Sequence, residues 1–357
     1  MKNHKKVDFS GKNIYIGIDV HKKSWFVTVL YGDVSKRNTF EPSAEILKKH
    51  LEKHYPNGNY HAVYEAGHFG FNAYYELTKL GIDTTVVNPA DIPTTDKEKR
   101  NKTDRSDSKK LASNLKSGLL KCIYIPKIES QELRSLTRRR EELVQDNTRN
   151  KNRIKSILSY YNIKYPERFS KPGSHWSKKF ISWLETIKLK TTAGNETLSS
   201  YIRQLQSIRE ELLRVTQAIR KELKQKELKP IYELLKSVPG IGQIGAAIIQ
   251  TEVIEIERFK RRDDFISYIG LCPNEQSSGE SKKVGHLTRR CNKRLRTIFI
   301  EAAWVAVRQD PALGQYYNER ARNIGKKKAI IKVARKIANR VRHILMTGVP
   351  YQIGVIE

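Results

Sequence analysis

Two short apolar runs that each end on a carboxylate constrain this chain more than any other feature. Asn13–Asp19 reads NIYIGID and Tyr60–Glu65 reads YHAVYE. Runs of this length, rich in β-branched and aromatic residues, are expected to be strands. Trp25–Tyr31 is a further strand, joined to the first by the polar turn His21–Ser24, and Arg37–Phe40 another. Ser43–His54 has helical spacing through Ile46, Leu47 and Leu51, and Phe69–Leu80 is helical. Thr84–Asn88 is a strand, and Asp104–Leu119 places Leu111, Ala112, Leu115 and Leu119 on one helix face. A last strand, Lys121–Ile125, precedes Pro126. This alternation predicts an α/β layered domain. If the two carboxylate-ended strands are neighbours, Asp19 and Glu65 emerge at the same edge of the sheet.

The pattern then changes. Glu132–Tyr161 contains no Gly or Pro, and its apolar positions predict a long helix. A second long helix, Leu198–Leu228, spaces Leu205, Ile208, Leu212, Val215 and Ile219 by threes and fours, the signature of a coiled-coil seam. Between them, 164–197 holds Pro166, Pro172, Gly173 and Gly194 and reads as a connector around a short Trp176–Ile187 helix. The expectation is an antiparallel helical hairpin. Residues 231–350 read as a compact basic helical region that ends in a strongly basic helix, Ala329 to Leu345. The chain therefore divides into 1–128, 129–230 and 231–357.

Charge narrows the partner. The chain carries 68 Lys and Arg against 38 Asp and Glu, net +30. Such self-repulsion is best relieved by a polyanion, and nucleic acid releases a condensed counterion for each phosphate neutralised. Residues 1–125 hold 21 basic and 14 acidic side chains, against 47 and 24 in 126–357. The phosphate-binding charge thus lies mostly in the rear. Cys122, Cys272 and Cys291 suit neither a disulfide framework nor a zinc module. Met1–Lys6 is basic but is followed by polar residues, so no signal peptide is expected. No stretch approaches the ~20 apolar residues of a membrane span. The expected location is cytoplasmic, at the bacterial nucleoid, with no membrane partner.

Three constellations carry candidate chemistry. The first is acidic. Asp104 and Asp107 open a helix at i and i+3 and share a face. Brought together with Asp19 and Glu65 they would repel unless a cation neutralised them. Oxygen-only ligands suit a hard ion, Mg²⁺ or Mn²⁺, and Lys102 and Arg105 flank the pair as phosphate contacts. The plainer reading is two ordinary strand ends and two helix N-terminal charges.

The second constellation is Val238-Pro239-Gly240-Ile241-Gly242, read as a helix–hairpin–helix. Its Gly240 and Gly242 would let backbone amides approach a phosphate. The alternative is an ordinary interhelical turn. The third is the polar stretch Pro273–Lys283, with Ser277, Ser278, Gly279, Ser281, Lys282 and Lys283, followed by Arg289, Arg290 and Arg294. A serine among glycine and cations is a candidate nucleophile, and a surface loop is the alternative. On the first long helix, Arg138, Arg139, Arg140, Arg149, Lys151, Arg153 and Lys155 exceed what a seam needs and suit a phosphate backbone. A structural arm or dimer contact is the other reading of that helix.

Taken in order, these stretches resemble the DEDD-type insertion-sequence transposases, relatives of the Piv-type DNA invertases and also called bridge-RNA-guided recombinases. The likeness rests on Tyr15-Ile-Gly-Ile-Asp19-Val-His-Lys22, Tyr64-Glu65-Ala-Gly67, Asn88-Pro89 and Asn101-Lys-Thr-Asp104-Arg-Ser-Asp107-Ser-Lys-Lys-Leu-Ala112. It continues through Pro239-Gly-Ile-Gly242, Phe265 to Gly270, Leu271-Cys-Pro273, Ser278-Gly279 and Gly348-Val-Pro350, nearly the whole chain.

The resemblance implies an α/β RNase H-like (RuvC-like) N-terminal domain, long antiparallel coiled-coil helices and an all-α C-terminal transposase domain. It implies that Asp19, Glu65, Asp104 and Asp107 hold divalent metal, and that Ser278 becomes covalently linked to DNA. It further implies double-stranded donor and target DNA, a structured guide RNA, and a homo-oligomer, dimer or tetramer. Ser108 stands where the family often has Ala, and tandem Ser277 and Ser278 leave two candidates for the nucleophile. Two other functions stay open on sequence: a RuvC-like nuclease that uses water, and a non-catalytic architectural nucleic-acid-binding protein.

Overall fold

The computed structural model describes residues 8–93, 104–278 and 281–354. Its contacts divide the chain into two units, Met1–Ile125 and Pro126–Glu357.

The first unit is built on the predicted strands. Asn13–Val20 (β1), Trp25–Tyr31 (β2) and Val34–Phe40 (β3) run antiparallel in turn, while Asn59–Glu65 (β4) and Asp83–Val87 (β5) continue parallel to β1. The sheet order is β3-β2-β1-β4-β5. A mixed five-stranded sheet of this kind is compatible with the RNase H-like expectation. Side chains alternate between the faces of a strand. Ile14, Ile16 and Ile18 of β1 and Tyr60, Ala62 and Tyr64 of β4 pack on one face. Against them lie Ala44–His54 (α1) and Asn72–Lys79 (α2), through Leu47, Leu51, Ala73 and Leu77. Ser43 caps α1 by accepting from the Ile46 amide at 3.2 Å. The opposite face is covered by Asp104–Lys116 (α3), whose Leu111 packs with Val63, Val87 and Ile92.

Two local expectations change here. Strand β3 is longer than its sequence signal, because the tight turn at Gly32 (φ +56°) pairs Tyr31 with Val34 directly. Lys121–Ile125 does not form a strand: it makes one bridge, Val87 to Cys122, before Pro126 removes a donor.

The second unit begins with Ile128–Tyr160 (α4). It returns through Lys178–Thr186 (α5) and Thr192–Glu222 (α6). Side-chain bonds fix the direction of the pair. Arg140 Nε donates to Thr216 Oγ1 at 2.9 Å, and Asn150 Nδ2 to the Tyr201 carbonyl at 2.8 Å, so α4 and α6 run antiparallel. Helix α6 starts before the predicted Leu198, because Thr191 caps it by accepting from the Gly194 amide at 3.1 Å. Gly194 is therefore in the first turn, not the connector. The distal end of this arm has its own core: Ile154 and Leu158 of α4, Phe169, Phe180 and Leu184 of the connector, and Leu198, Ile202 and Leu205 of α6.

The base of the arm shares a different core. Leu143, Val215 and Ile219 pack with Lys229–Lys236 (α7), Gln243–Val253 (α8), Arg262–Ile269 (α9), Lys293–Gln309 (α10), Pro311–Ile324 (α11) and Lys326–Thr347 (α12). Gly348, at φ +71°, ends α12, and Pro350 follows. Tyr351 then hydrogen-bonds the buried Asp310, which Arg340 also reaches at 3.1 Å. The rear region is not all helical. Pro273–Ser278 (β6) and Ser281–Leu287 (β7) form a two-stranded antiparallel hairpin. The sequence carries no apolar alternation there, so the period that marks a half-buried strand is missing. Among the described residues no helix is long and apolar enough to cross a membrane.

Candidate nucleic-acid-processing site

Strands β1 and β4 pair in register, Gly17 with Val63 and Ile18 with Tyr64. One step further along both parallel strands come Asp19 and Glu65. Asp19 alternates with Gly17, and Glu65 with Val63. Both carboxylates therefore lie on the α3 face, beside each other at the same edge. Both are half-buried.

Two anchors orient α3. Near its start, the buried Ser108 hydroxyl bonds the buried Thr28 hydroxyl of β2 at 2.8 Å. At its end, Lys116 Nζ donates to the Gly32 carbonyl at 2.7 Å and lies 3.7 Å from Asp33. Gly32 is at the far end of β2, away from the strand position that pairs Phe26 with Asp19. The first turn of α3, with Asp104 and Asp107, is thus directed to the end of the sheet that bears Asp19 and Glu65. The serine at position 108, where alanine was the family expectation, adds the bond that fixes this helix. His21, in the turn after β1, is a further neighbour: its Nε2 stands 3.7 Å from Asp19 Oδ2.

Helix and strand meet closely enough to require glycine. A Cβ on Gly17 would stand 2.0 Å from the Ser108 carbonyl oxygen and 2.6 Å from the Ala112 amide nitrogen. Both are backbone atoms of a helix, and neither swings aside. Gly17→Ala is expected to destabilise the first unit by about 3 kcal/mol, the upper range for overpacking. Cleavage should fall with it, because α3 must lift off the sheet. Urea denaturation of the full chain measures the first effect, and an unchanged midpoint would refute the close-approach argument.

Of the predicted metal ligands, Asp19 and Glu65 are brought side by side, and Asp107 lies half-buried on α3. Lys102 lies outside the described residues, as do the side chains of Asp104, Arg105, Ser277, Ser278, Lys282 and Lys283. Among the described residues no three His, Cys, Asp or Glu side chains are grouped to hold a metal ion.

In the second unit, Ser278 is placed by its backbone at the last pair of the β6–β7 hairpin, opposite Ser281. The turn between α7 and α8 gives its two glycines different duties. Gly240, at φ +83°, packs on α10, where a Cβ would stand 2.4 Å from the Ala302 carbonyl oxygen. Its glycine is demanded by packing. Gly242 is exposed and precedes α8 without a side-chain cap.

The predicted cations also divide. Arg138 departs from expectation. Its Nε donates to Glu252 Oε1 at 2.7 Å and its Nη2 to Oε2 at 2.9 Å, and Glu252 is 1% exposed. That guanidinium is neutralised within the fold. Asn292, the cap of α10, donates to the same carboxylate at 2.9 Å. Glu252 therefore ties the arm to the segment that leaves the serine hairpin, a link no local pattern reveals. Arg139 makes an exposed pair with Glu142 at 3.3 Å, and Arg294 meets Glu141. Arg289 and Arg290 are exposed.

Comparison with known proteins bears on the same stretches. Residues 16–163 match the family described as a DEDD transposase of the IS110 kind. Residues 232–318 match the family described as Transposase IS116/IS110/IS902. The putative transposase y4rJ of Sinorhizobium fredii is 25% identical over 96% of this chain and 94% of its own length. The transposase for insertion sequence element IS1533 of Leptospira borgpetersenii is 25% identical over 82% of this chain and 85% of its own. The transposase for insertion sequence element IS1111A of Coxiella burnetii is 26% identical over 67% and 64%. With residues 16–163 and 232–318 matched in order to two transposase families of the same kind, and relatives aligned along most of the chain, this chain belongs to the DEDD-type insertion-sequence transposases.

Proposed function

We propose that this transposase cuts and rejoins DNA strands in moving an insertion sequence, with the carboxylate edge of its sheet as a metal-holding element and Ser278 as the residue that becomes covalently linked to DNA. The observation that supports the reading most is the register that sets Asp19 beside Glu65 on the face that α3 covers.

The donor set, carboxylate oxygens alone, fits Mg²⁺ or Mn²⁺, held by Asp19, Glu65, Asp104 and Asp107. Such an ion supplies charge neutralisation at the oxygens of a phosphodiester under attack. The protein's own part is to hold these carboxylates rigidly. Thr28 and Ser108 do this by fixing α3, and the strand pairing does it by fixing Asp19 against Glu65.

Ser278 loses its proton as its Oγ bonds to phosphorus. The bond from phosphorus to a deoxyribose oxygen breaks, and that oxygen leaves as a hydroxyl. One ester replaces another, so a hydroxyl of a second duplex reverses the step without an external energy source. Gly242, Lys102, Arg105, Lys282, Lys283, Arg289 and Arg290 serve as backbone contacts, which position DNA without reading its sequence. On the family likeness we extend the proposal to a homo-oligomer and to a structured guide RNA that selects donor and target.

Ser278→Ala is expected to abolish covalent protein–DNA species on a denaturing gel while DNA binding stays within about twofold, since no phosphate contact is removed. Adducts that persist in Ser278→Ala and vanish in Ser277→Ala move the role to Ser277. Cleavage with no adduct in the wild-type chain favours attack by water.

A further inference from the structure

The outer face of the arm carries a second surface. Between Asp146 and Glu167 the sequence holds no acidic residue and five cations, Arg149, Lys151, Arg153, Lys155 and Lys164. On α4, positions 149, 153, 156 and 160 follow the four–three–four spacing of one helix face. All four are exposed, on the side away from Ile154 and Leu158 of the distal core. The stripe ends on aromatic rings. Tyr160 is 82% exposed and Tyr161 50%, with ring centroids 5.1 Å apart and planes at 87°. Single exposed apolar residues are ordinary, but two adjacent rings at the end of a cationic stripe are not.

We propose that this face binds an unpaired nucleic-acid strand, with Arg149 and Arg153 on its phosphates and Tyr160 and Tyr161 stacked on its bases. Arg149 also meets Asp146, an exposed pair that a phosphate displaces at little cost. From 149 to 160 the helix rises about 16 Å, enough for more than one nucleotide. The aromatic rings select an unpaired strand over a duplex, because base faces are available for stacking only where bases are not paired. A second copy of this chain is the poorer occupant. A two-fold contact sets the same patch against itself, and here that places mainly cations against cations, with Asp146 already paired to Arg149.

The test uses the full chain and a fluorescent, unstructured single-stranded oligonucleotide, in RNA and DNA versions, beside a duplex of the same length. Tyr160→Ala/Tyr161→Ala is expected to weaken single-strand binding roughly 30-fold or more, the scale of two lost stacking contacts, and to leave duplex binding unchanged. Tyr160→Trp/Tyr161→Trp should restore it. Arg149→Gln/Arg153→Gln is expected to reduce the salt slope of single-strand binding by about 1.4, at ~0.7 per phosphate contact. Equal loss on duplex, no loss on the single strand, or a change confined to self-association in sedimentation would each overturn the proposal. These readouts involve neither cleavage nor adduct formation, so they stand apart from the serine chemistry.

Discussion

Asp19→Asn is expected to lower DNA cleavage by about 10³-fold or more, the scale of losing a group that acts at the reacting phosphate, while DNA binding and the fold persist. The replacement is isosteric, and the strand pairing of position 19 with Phe26 is made by backbone. What disappears is one negative charge beside Glu65. Relief of that repulsion should leave thermal stability equal or slightly higher without divalent ions. In the wild-type chain, Mg²⁺ or Mn²⁺ should raise the melting temperature, and in Asp19→Asn that gain should shrink. Supercoiled-plasmid cleavage over a divalent-ion titration, with calorimetry alongside, measures both. Wild-type cleavage by the variant at every ion concentration would remove Asp19 from the site.

The second large effect concerns Glu252. Its carboxyl is pushed up by burial, but the hydrogen bonds and charge of Arg138, with Asn292, outweigh burial and hold it below its ordinary 4.5. Glu252→Ala leaves the Arg138 guanidinium without its carboxylate and removes the partner of the residue that caps α10. Breaking a buried pair costs about 3–5 kcal/mol. The Arg138 side chain is 40% exposed and water still reaches it, so about 2–3 kcal/mol is expected here. Glu252→Gln, which retains hydrogen-bonding atoms, should cost about 1 kcal/mol.

Because the folded carboxyl titrates below its unfolded value, folding favours the ionised form. The stabilisation is complete above pH 4.5 and is lost as pH falls through the lower folded value. The stability difference between wild type and Glu252→Gln should therefore be constant from neutral pH to about 5 and narrow below that. A difference that does not vary with pH would show that Glu252 is not ionised in the fold. Asn292 leads into α10 directly after the β6–β7 hairpin, so adduct formation should fall further in Glu252→Ala than DNA binding does.

The sequence by itself determined the five strands of the sheet, most helices and the candidate carboxylates, while it also suggested a strand at Lys121–Ile125 that does not form. Apolar period, chain breakers and strand-end acids are local signals, set by a residue and its near neighbours. The apolar runs Asn13–Asp19 and Tyr60–Glu65 announced strands that end on carboxylates, whereas the turn at Gly32 carried no apolar signal of its own. What lay beyond the sequence is long-range or unpatterned. The Thr28–Ser108 bond joins residues 80 positions apart. The Arg138–Glu252 pair spans 114 positions, and it turned a predicted phosphate contact into a structural one. Gly240 looked like a glycine for phosphate approach, and only the α10 backbone beside it shows a packing demand. The serine hairpin gave no period-two signal because its residues are polar throughout. The sequence therefore named the carboxylates. Only tertiary structure, by setting β1 beside β4 and anchoring α3 at both ends, decided that Asp19 and Glu65 share an edge, because strand neighbours are chosen by the packing of the whole sheet and not by any one strand.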